Sequence, residues 1–243
     1  MLISTLEDVE FAPEYPELAG KRILVTGVAG PLGVDVVRAF AEARTRLIVQ
    51  ALEDSPETQA LAEIIAPHAM YVVLHSGSIT GSDAMLRFAR DAAQKFGGLD
   101  CVVNLATVPE PPANATEAQI EALVADCLAM PVLATRVAAN RMRTLVTPGS
   151  ILNVLVSPRH ASAGAGLLAG IARSALSSFT RGEAEAGIAD GVRVNAIVPA
   201  TSTAGRSSGH VISGTVDVAT LALHLASARG HDLSGLTYEA YCG

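Results

Sequence analysis

Two stretches of this sequence have residue types and spacing that could do chemistry. The first is the turn Thr26, Gly27, Val28, Ala29, Gly30, Pro31, Leu32, Gly33, which joins an apolar run to a segment of helical period. Glycines in such a turn let backbone N–H groups and the positive end of a helix meet a phosphate, because a side chain would hold the phosphate off. Pro31 stands where a glycine is expected. Its fixed φ suits the first turn of a helix, but it lacks an N–H for an anion and puts a ring where the anion would approach. A tight turn that packs a helix on a strand without any ligand explains the motif equally well. The second stretch is "VSPRHASAG", in which Ser157, Arg159, His160 and Ser162 follow an apolar run closely. A histidine there could serve as a base near neutral pH, although a polar loop at a strand end is the simpler account. Single residues add little. His75 reads as a partly buried side chain with one hydrogen bond, Cys127 as a small core residue, and Asp126 as a solvated helix position. No paired carboxylates or metal-ligand spacing compete with these readings.

The elements that must position those residues are regular. Short β-branched runs alternate with longer alanine-rich segments of helical period: "RILVTG", then 32–43; "RLIVQA", then 57–66; "YVVLHS", then 82–96; "DCVVNLA", then 117–143; "SILNVLV", then 164–188; "VRVNAIVP", then 216–228; and a final "GLTYEAY". The continuous apolar runs predict strands buried on both faces, and the alternation predicts an α/β fold with a doubly wound parallel sheet. Residues 1–20 are expected to be an N-terminal extension over the surface and 21–243 a single domain. The segment 201–214, "TSTAGRSSGHVISG", reads as a flexible loop by composition.

Composition narrows the class. Half of the 243 residues are hydrophobic, yet no apolar run in the sequence approaches the ~20 residues that span a bilayer. A soluble protein with a large core is expected, and no membrane partner. The acidic, proline-broken start lacks the features of a secretion signal, which points to the cytoplasm. A net charge of −7 with no basic cluster argues against nucleic acid. Cys101, Cys127 and Cys242 are odd in number and far apart, which favours reduced thiols.

The order and spacing of several blocks resemble the short-chain dehydrogenase/reductase family from about residue 20 to the end. "VTGVAGPLG" looks like the family's TGxxxGxG turn, "GGLDCVVNLAT" like its LDxLVNNAG strand, and "GSILNVLVS" like its GsIvNisS strand. "GIARSALSSFTRGEAEAGIADGVRVNAIVPA" is similar to the family's segment that runs from YxxxK to the strand girVNavaPG. The resemblance implies a Rossmann-type fold with about seven strands, built into dimers or tetramers.

It also implies a catalytic set that can be checked position by position. In an active member a tyrosine is the general acid or base, a lysine lowers its pKa and holds the nicotinamide ribose, a serine polarises the reacting oxygen, and an asparagine supports a proton relay. The lysine position falls on Arg173, the tyrosine position on Ala169, the serine position on Val156, and the asparagine position on Cys127 or its neighbour Asp126. None of the four carries the expected residue. Alanine and valine neither transfer protons nor donate hydrogen bonds, and a positioned acid or base typically contributes ~10²–10⁴-fold to rate. Arginine is no substitute for a compact ammonium at such a site.

By the same resemblance Gly27, Gly30, Pro31, Leu32, Gly33, Asn104 and Ala106 mark a weakened or lost cofactor cleft. Ala51 occupies the position of the usual ribose-binding acid, with Glu53 the nearest carboxylate. The adenine-contacting aspartate is replaced within "LHSGS", and Leu105 and Thr107 replace the second asparagine and the glycine of the fourth-strand motif. The loop after "VNAIVP" is short for a substrate lid. NAD(H) or NADP(H) is therefore expected to bind weakly or not at all. The long segments 117–143 and 164–188 are rich in small apolar residues, so a dimer or tetramer with itself or with an active paralogue is expected. The reading these features favour is a catalytically inactive structural or regulatory subunit. An NAD(P)-dependent oxidoreductase with atypical catalytic residues is the alternative, and a nucleotide or small-ligand sensor a second one.

Overall fold

The computed structural model describes residues 14–157, 162–199 and 212–241. The apolar runs become strands and the alanine-rich segments helices, in strict alternation. In chain order these are β1 (Arg22–Val28), α1 (Gly30–Glu42), β2 (Arg46–Ala51), α2 (Pro56–Ile65), β3 (Tyr71–His75), α3 (Ser82–Lys95), β4 (Cys101–Thr107), α4 (Glu117–Leu145), β5 (Gly149–Val156), α5 (Ala163–Gly187) and β6 (Val192–Pro199). The short β7 (Ile212–Ser213), α6 (Thr215–Ala226) and β8 (Thr237–Tyr241) complete the fold. Helix starts carry their own signals. Ser55 accepts from the Thr58 N–H at α2, and Thr116 and Gln119 form a reciprocal capping box at α4.

All strand pairings are parallel, in the order β3-β2-β1-β4-β5-β6-β8-β7. Both sheet faces are covered, which is why the strands are apolar throughout rather than alternating. Residues of α1, α2 and α6 share one core cluster, and residues of α3, α4 and α5 build the clusters on the opposite face. The order reverses between β1 and β4, so a crevice opens there at the carboxyl ends of the strands, where ligands of such sheets bind. The opposite edge is closed by Arg22 and Asp100. The Arg22 guanidinium donates to both Asp100 oxygens at 2.9 and 2.7 Å, and its backbone N–H adds a third bond at 2.8 Å.

Three details differ from the sequence reading. The end of 201–214 is not all loop, because Ile212–Ser213 pairs with β8 as an eighth strand. Residues 14–20 are more than a surface covering: Tyr15 and Leu18 are only 4% and 2% exposed and join the core beneath α1 and α6. Finally, α4 is long and apolar enough, by length and composition, to cross a membrane. Here its inner face packs on β4, α3 and α5, and its exposed positions include Glu117, Glu121, Asp126, Arg136 and Asn140.

Candidate functional site

The β1–α1 turn lies at the topological switch point, and the structure shows what each of its glycines does. Gly27 has φ +73°, and a Cβ there would fall 1.9 Å from the Leu105 carbonyl oxygen. A Cβ on Gly33 would meet Val28 Cγ1 at 2.9 Å. Both glycines are thus demanded by packing of β1 against β4 and of α1 against β1, whether or not a ligand is present. Gly30 differs. Its φ is +56° and a Cβ would meet nothing within 4 Å, so this part of the turn faces open space. The N-cap Ala29 offers no side-chain acceptor, Pro31 has no N–H, and the Gly33 N–H already bonds the Ala29 carbonyl at 3.3 Å. Gly30 and Leu32 remain as the backbone donors of the first turn that an anion could use. Leu32 turns its side chain into the core.

Beside the turn, the end of β2 carries a residue that the motif comparison passed over. Gln50 is 1% exposed. Its Oε1 accepts the Gly27 N–H at 2.8 Å, and its Nε2 donates to the Ala51 carbonyl at 2.9 Å and the Gly77 carbonyl at 3.2 Å. One carboxamide therefore ties the turn after β1 to the segment after β3. Ser78 adds an outer tie, its hydroxyl donating to the Leu52 carbonyl at 3.0 Å. The sequence did hold a signal for this: a lone glutamine inside "RLIVQA" must find partners if it is buried. On the other side of β2, a cleft of about 180 Å³ is lined by Gly30, Val34, Ala51, Glu53, Ser55 and Thr58, among others. That is below the roughly 300 Å³ at which ligand pockets usually begin.

Asn104 belongs to the sheet rather than to the cleft. It is fully buried. Its Oδ1 accepts from the Thr26 hydroxyl at 2.9 Å, and its Nδ2 donates to Asn153 Oδ1 at 2.8 Å and to Thr135 Oγ1 at 3.3 Å. The Thr135 hydroxyl also donates to Asn153 Oδ1, at 3.0 Å. These side chains lock β1, β4, β5 and α4 together, and both ends of the Asn104 carboxamide are engaged inside the protein. Ala106 is partly buried and packs with the α4–α5 cluster.

The positions matched to the catalytic set are apolar or occupied. Ala169 is 9% exposed and sits in a cluster with Leu155, Leu168, Leu176 and Val198. Val156 packs toward the other face, with the α1–α6 core, so the two are not brought into one polar site. Arg173 is ion-paired with Glu239 of β8, whose carboxylate neutralises the charge left at the lysine position. Cys127 donates weakly to the Thr107 carbonyl at 3.5 Å, and burial pushes its thiol up to about 11, which keeps it protonated.

The remaining candidates scatter. His75 is exposed and packs edge-on against Phe88, with 5.2 Å between ring centroids, rather than being the partly buried, hydrogen-bonded residue expected. Asp126 is exposed on α4, as a solvated helix position should be. Ser162 caps α5 by accepting the Ala165 N–H at 3.2 Å, and Ser157 is half-buried at the strand end. Arg159 and His160 lie outside the described residues. Among the described residues no group of three or more histidines, cysteines and carboxylates could hold a metal.

Known proteins share this architecture. Over 189 residues the chain is 31% identical to a short chain dehydrogenase/reductase, dpchG, of Colletotrichum higginsianum, covering 74% of this chain and 69% of that one. It is 27% identical to a galactitol 2-dehydrogenase of Agrobacterium fabrum, over 75% and 70% of the two chains. A solved NADH-dependent reductase complexed with NAD superposes with a TM-score of 0.75 at 19% identity, over 93% and 97% of the chains, which is a likeness of fold. The family model for short chain dehydrogenases matches residues 21–208. With a switch-point turn, strand order and helix layers of that kind around it, the chain belongs to the short chain dehydrogenase family.

Proposed function

We propose that this family member does not carry out the family's oxidoreductase chemistry and serves as a non-catalytic subunit, paired with itself or with a complete relative. The observation that carries the reading is the environment of Ala169. The position matched to the acid–base tyrosine is a methyl group inside an apolar cluster, with valine at the serine position on the other face of the sheet and Arg173 held by Glu239. The buried side chains clustered with Ala169 are aliphatic, and the Cys127 thiol packed against them is held protonated by burial. The residues present also fit a dinucleotide poorly: both ends of the Asn104 carboxamide are engaged in the sheet, and Gln50 holds the Gly27 N–H. A surface for a second chain is available on α5, where Leu167 and Ile171 are 61% and 43% exposed.

A second reading is favoured by a different observation. The relatives carry names such as dehydrogenase and reductase, and on that ground the chain is an NAD(P)-dependent oxidoreductase working through atypical residues. In that case Gly30 and Leu32 at the α1 N-terminus would hold the pyrophosphate, and bound nicotinamide would supply hydride transfer. The two readings part in one experiment. The purified chain is titrated calorimetrically with NADH and NADPH and then assayed with both against a panel of ketones and alcohols. The expected result is no turnover. Turnover that Arg173→Ala abolishes would establish the oxidoreductase, and binding without turnover would establish a ligand sensor.

A further inference from the structure

The end of the sheet opposite the crevice holds a cavity of about 660 Å³, at the amino ends of β1, β4, β5 and β6 and beside the C-terminal end of α6. That size falls within the usual range for small-molecule sites. Pro148, Ile188, Ala226 and Ala228 give the cavity an apolar rim. Its wall also carries a charge without a charged partner. Arg193 of β6 is half-buried, and Nη1 donates to the Leu225 carbonyl at 2.7 Å and to the Gly230 carbonyl at 2.6 Å, which uses both of its hydrogens. Those bonds cap the last turn of α6 and account for one side of the guanidinium. Nε and Nη2, on the other edge, have no partner among the described residues and are not sealed from water, so this edge opens on the cavity that Arg193 lines. Two N–H groups side by side on one guanidinium edge match the two oxygens of a carboxylate.

The chain's own carboxylates on the cavity wall do not take that place. Both Asp100 oxygens are held by Arg22, and Glu17 Oε1 accepts the Ala228 N–H at 3.3 Å. Lys21 adds a second positive charge to the wall, and the Ser234 hydroxyl, which accepts the Val194 N–H at 3.2 Å, keeps its own hydrogen to donate. We propose that this cavity binds a small organic carboxylate with an apolar body, its oxygens on the Nε and Nη2 edge of Arg193 and its body against Pro148 and Ile188. An inorganic anion would answer the guanidinium but leave the apolar rim in water, which is why an organic acid fits better. The proposal is independent of what the crevice binds, because the cavity shares no residue with the β1–α1 turn or the cleft beside β2.

The test is a calorimetric titration of benzoate into the purified chain, with benzamide as its neutral counterpart of the same shape and inorganic phosphate as an anion without an apolar body. Two variants accompany the wild type. Arg193→Lys keeps the charge but loses the paired donors, and Ile188→Glu sets a negative charge at the rim while leaving Arg193 and its carbonyl bonds in place. Far-UV circular dichroism establishes that each is folded, and Ile188→Glu, at a position 74% exposed, decides the matter if Arg193→Lys does not fold. The expected result is saturable benzoate binding to the wild type, at least about tenfold weaker for benzamide and for Arg193→Lys, the effect of losing hydrogen bonds to a charged group. Ile188→Glu should weaken it about fivefold through repulsion near the surface, and phosphate should bind more weakly than benzoate. Absence of benzoate binding to the wild type would leave Arg193 as a cap for α6 and overturn the proposal. So would benzamide or phosphate bound as tightly as benzoate, or a folded variant that binds benzoate as tightly as the wild type.

Discussion

If Gly27 is kept by packing rather than by a phosphate, replacing it must destabilise the chain with no ligand present, and Gly30→Ala provides the contrast. At both positions φ is positive, +73° and +56°, which costs an alanine about 1–2 kcal/mol. Only Gly27 adds a collision. Its new Cβ would lie 1.9 Å from the Leu105 carbonyl oxygen, backbone that cannot rotate away. Relief means moving β1 from β4, and overpacking of that kind costs about 1–3 kcal/mol. Gly27→Ala should therefore lose about 2–5 kcal/mol and Gly30→Ala about 1–2 kcal/mol, against a total of about 5–15 kcal/mol for a typical domain. The chain has no tryptophan, so urea unfolding is best followed by far-UV circular dichroism. Equal losses for the two variants would refute the reasoning, since the approach of Leu105 would then not be what holds glycine at 27.

Two further outcomes follow from the titratable groups. Burial alone would raise the Asp100 pKa, but the hydrogen bonds and charge of Arg22 outweigh it and hold the carboxyl below its ordinary value. A depressed carboxyl contributes stability that is present above the unfolded-state pKa of about 4 and is lost as pH falls below it. Asp100→Asn should thus be less stable than wild type at pH 7, with the gap shrinking in urea melts below about pH 4; a gap that stays constant would remove the ion pair from the account. Burial also drives the Cys101 thiol up to about 12. Iodoacetamide at pH 8 should leave Cys101 untouched until urea unfolds the chain, as read by peptide mass spectrometry; labelling in the native state would show that β4 opens locally.

What could be read from the sequence divides by whether the signal is local. The strands and helices were legible almost to the residue, because a doubly wound sheet needs long apolar runs, and caps such as Ser55 and Thr116 sit beside the helices they start. The two-residue β7 was not legible: it is a strand only because β8 lies next to it. At Ala169, Val156 and Arg173, the positions matched to the catalytic set, the sequence displays residue types but not their contacts. The Arg173–Glu239 pair spans 66 positions, the Asn104–Asn153 bond 49, and the Gln50–Gly77 bond 27. Nothing in local pattern or motif spacing encodes such pairs. Asn104 in particular looked like a cleft residue because the family motif names it, while in the structure it is fully buried and bonds Thr26, Asn153 and Thr135.

Scaffold positions and the positions matched to the catalytic set differ in what they hold together. Gly27 and Gly33 serve packing as well as any ligand, so replacing them costs stability in this chain whether or not a ligand binds. Asn104 likewise joins β1, β4, β5 and α4. The positions at Ala169 and Val156 carry no such duty. Ala169 lies within one apolar cluster and Val156 packs against another, so a small hydrophobic side chain suits both positions. Likeness measured along the chain therefore follows the scaffold, and the names of relatives follow the likeness. Function follows the site alone, and in this chain the switch-point turn has one open glycine, Gly30, beside the Gln50 carboxamide that ties the turn to the segment after β3.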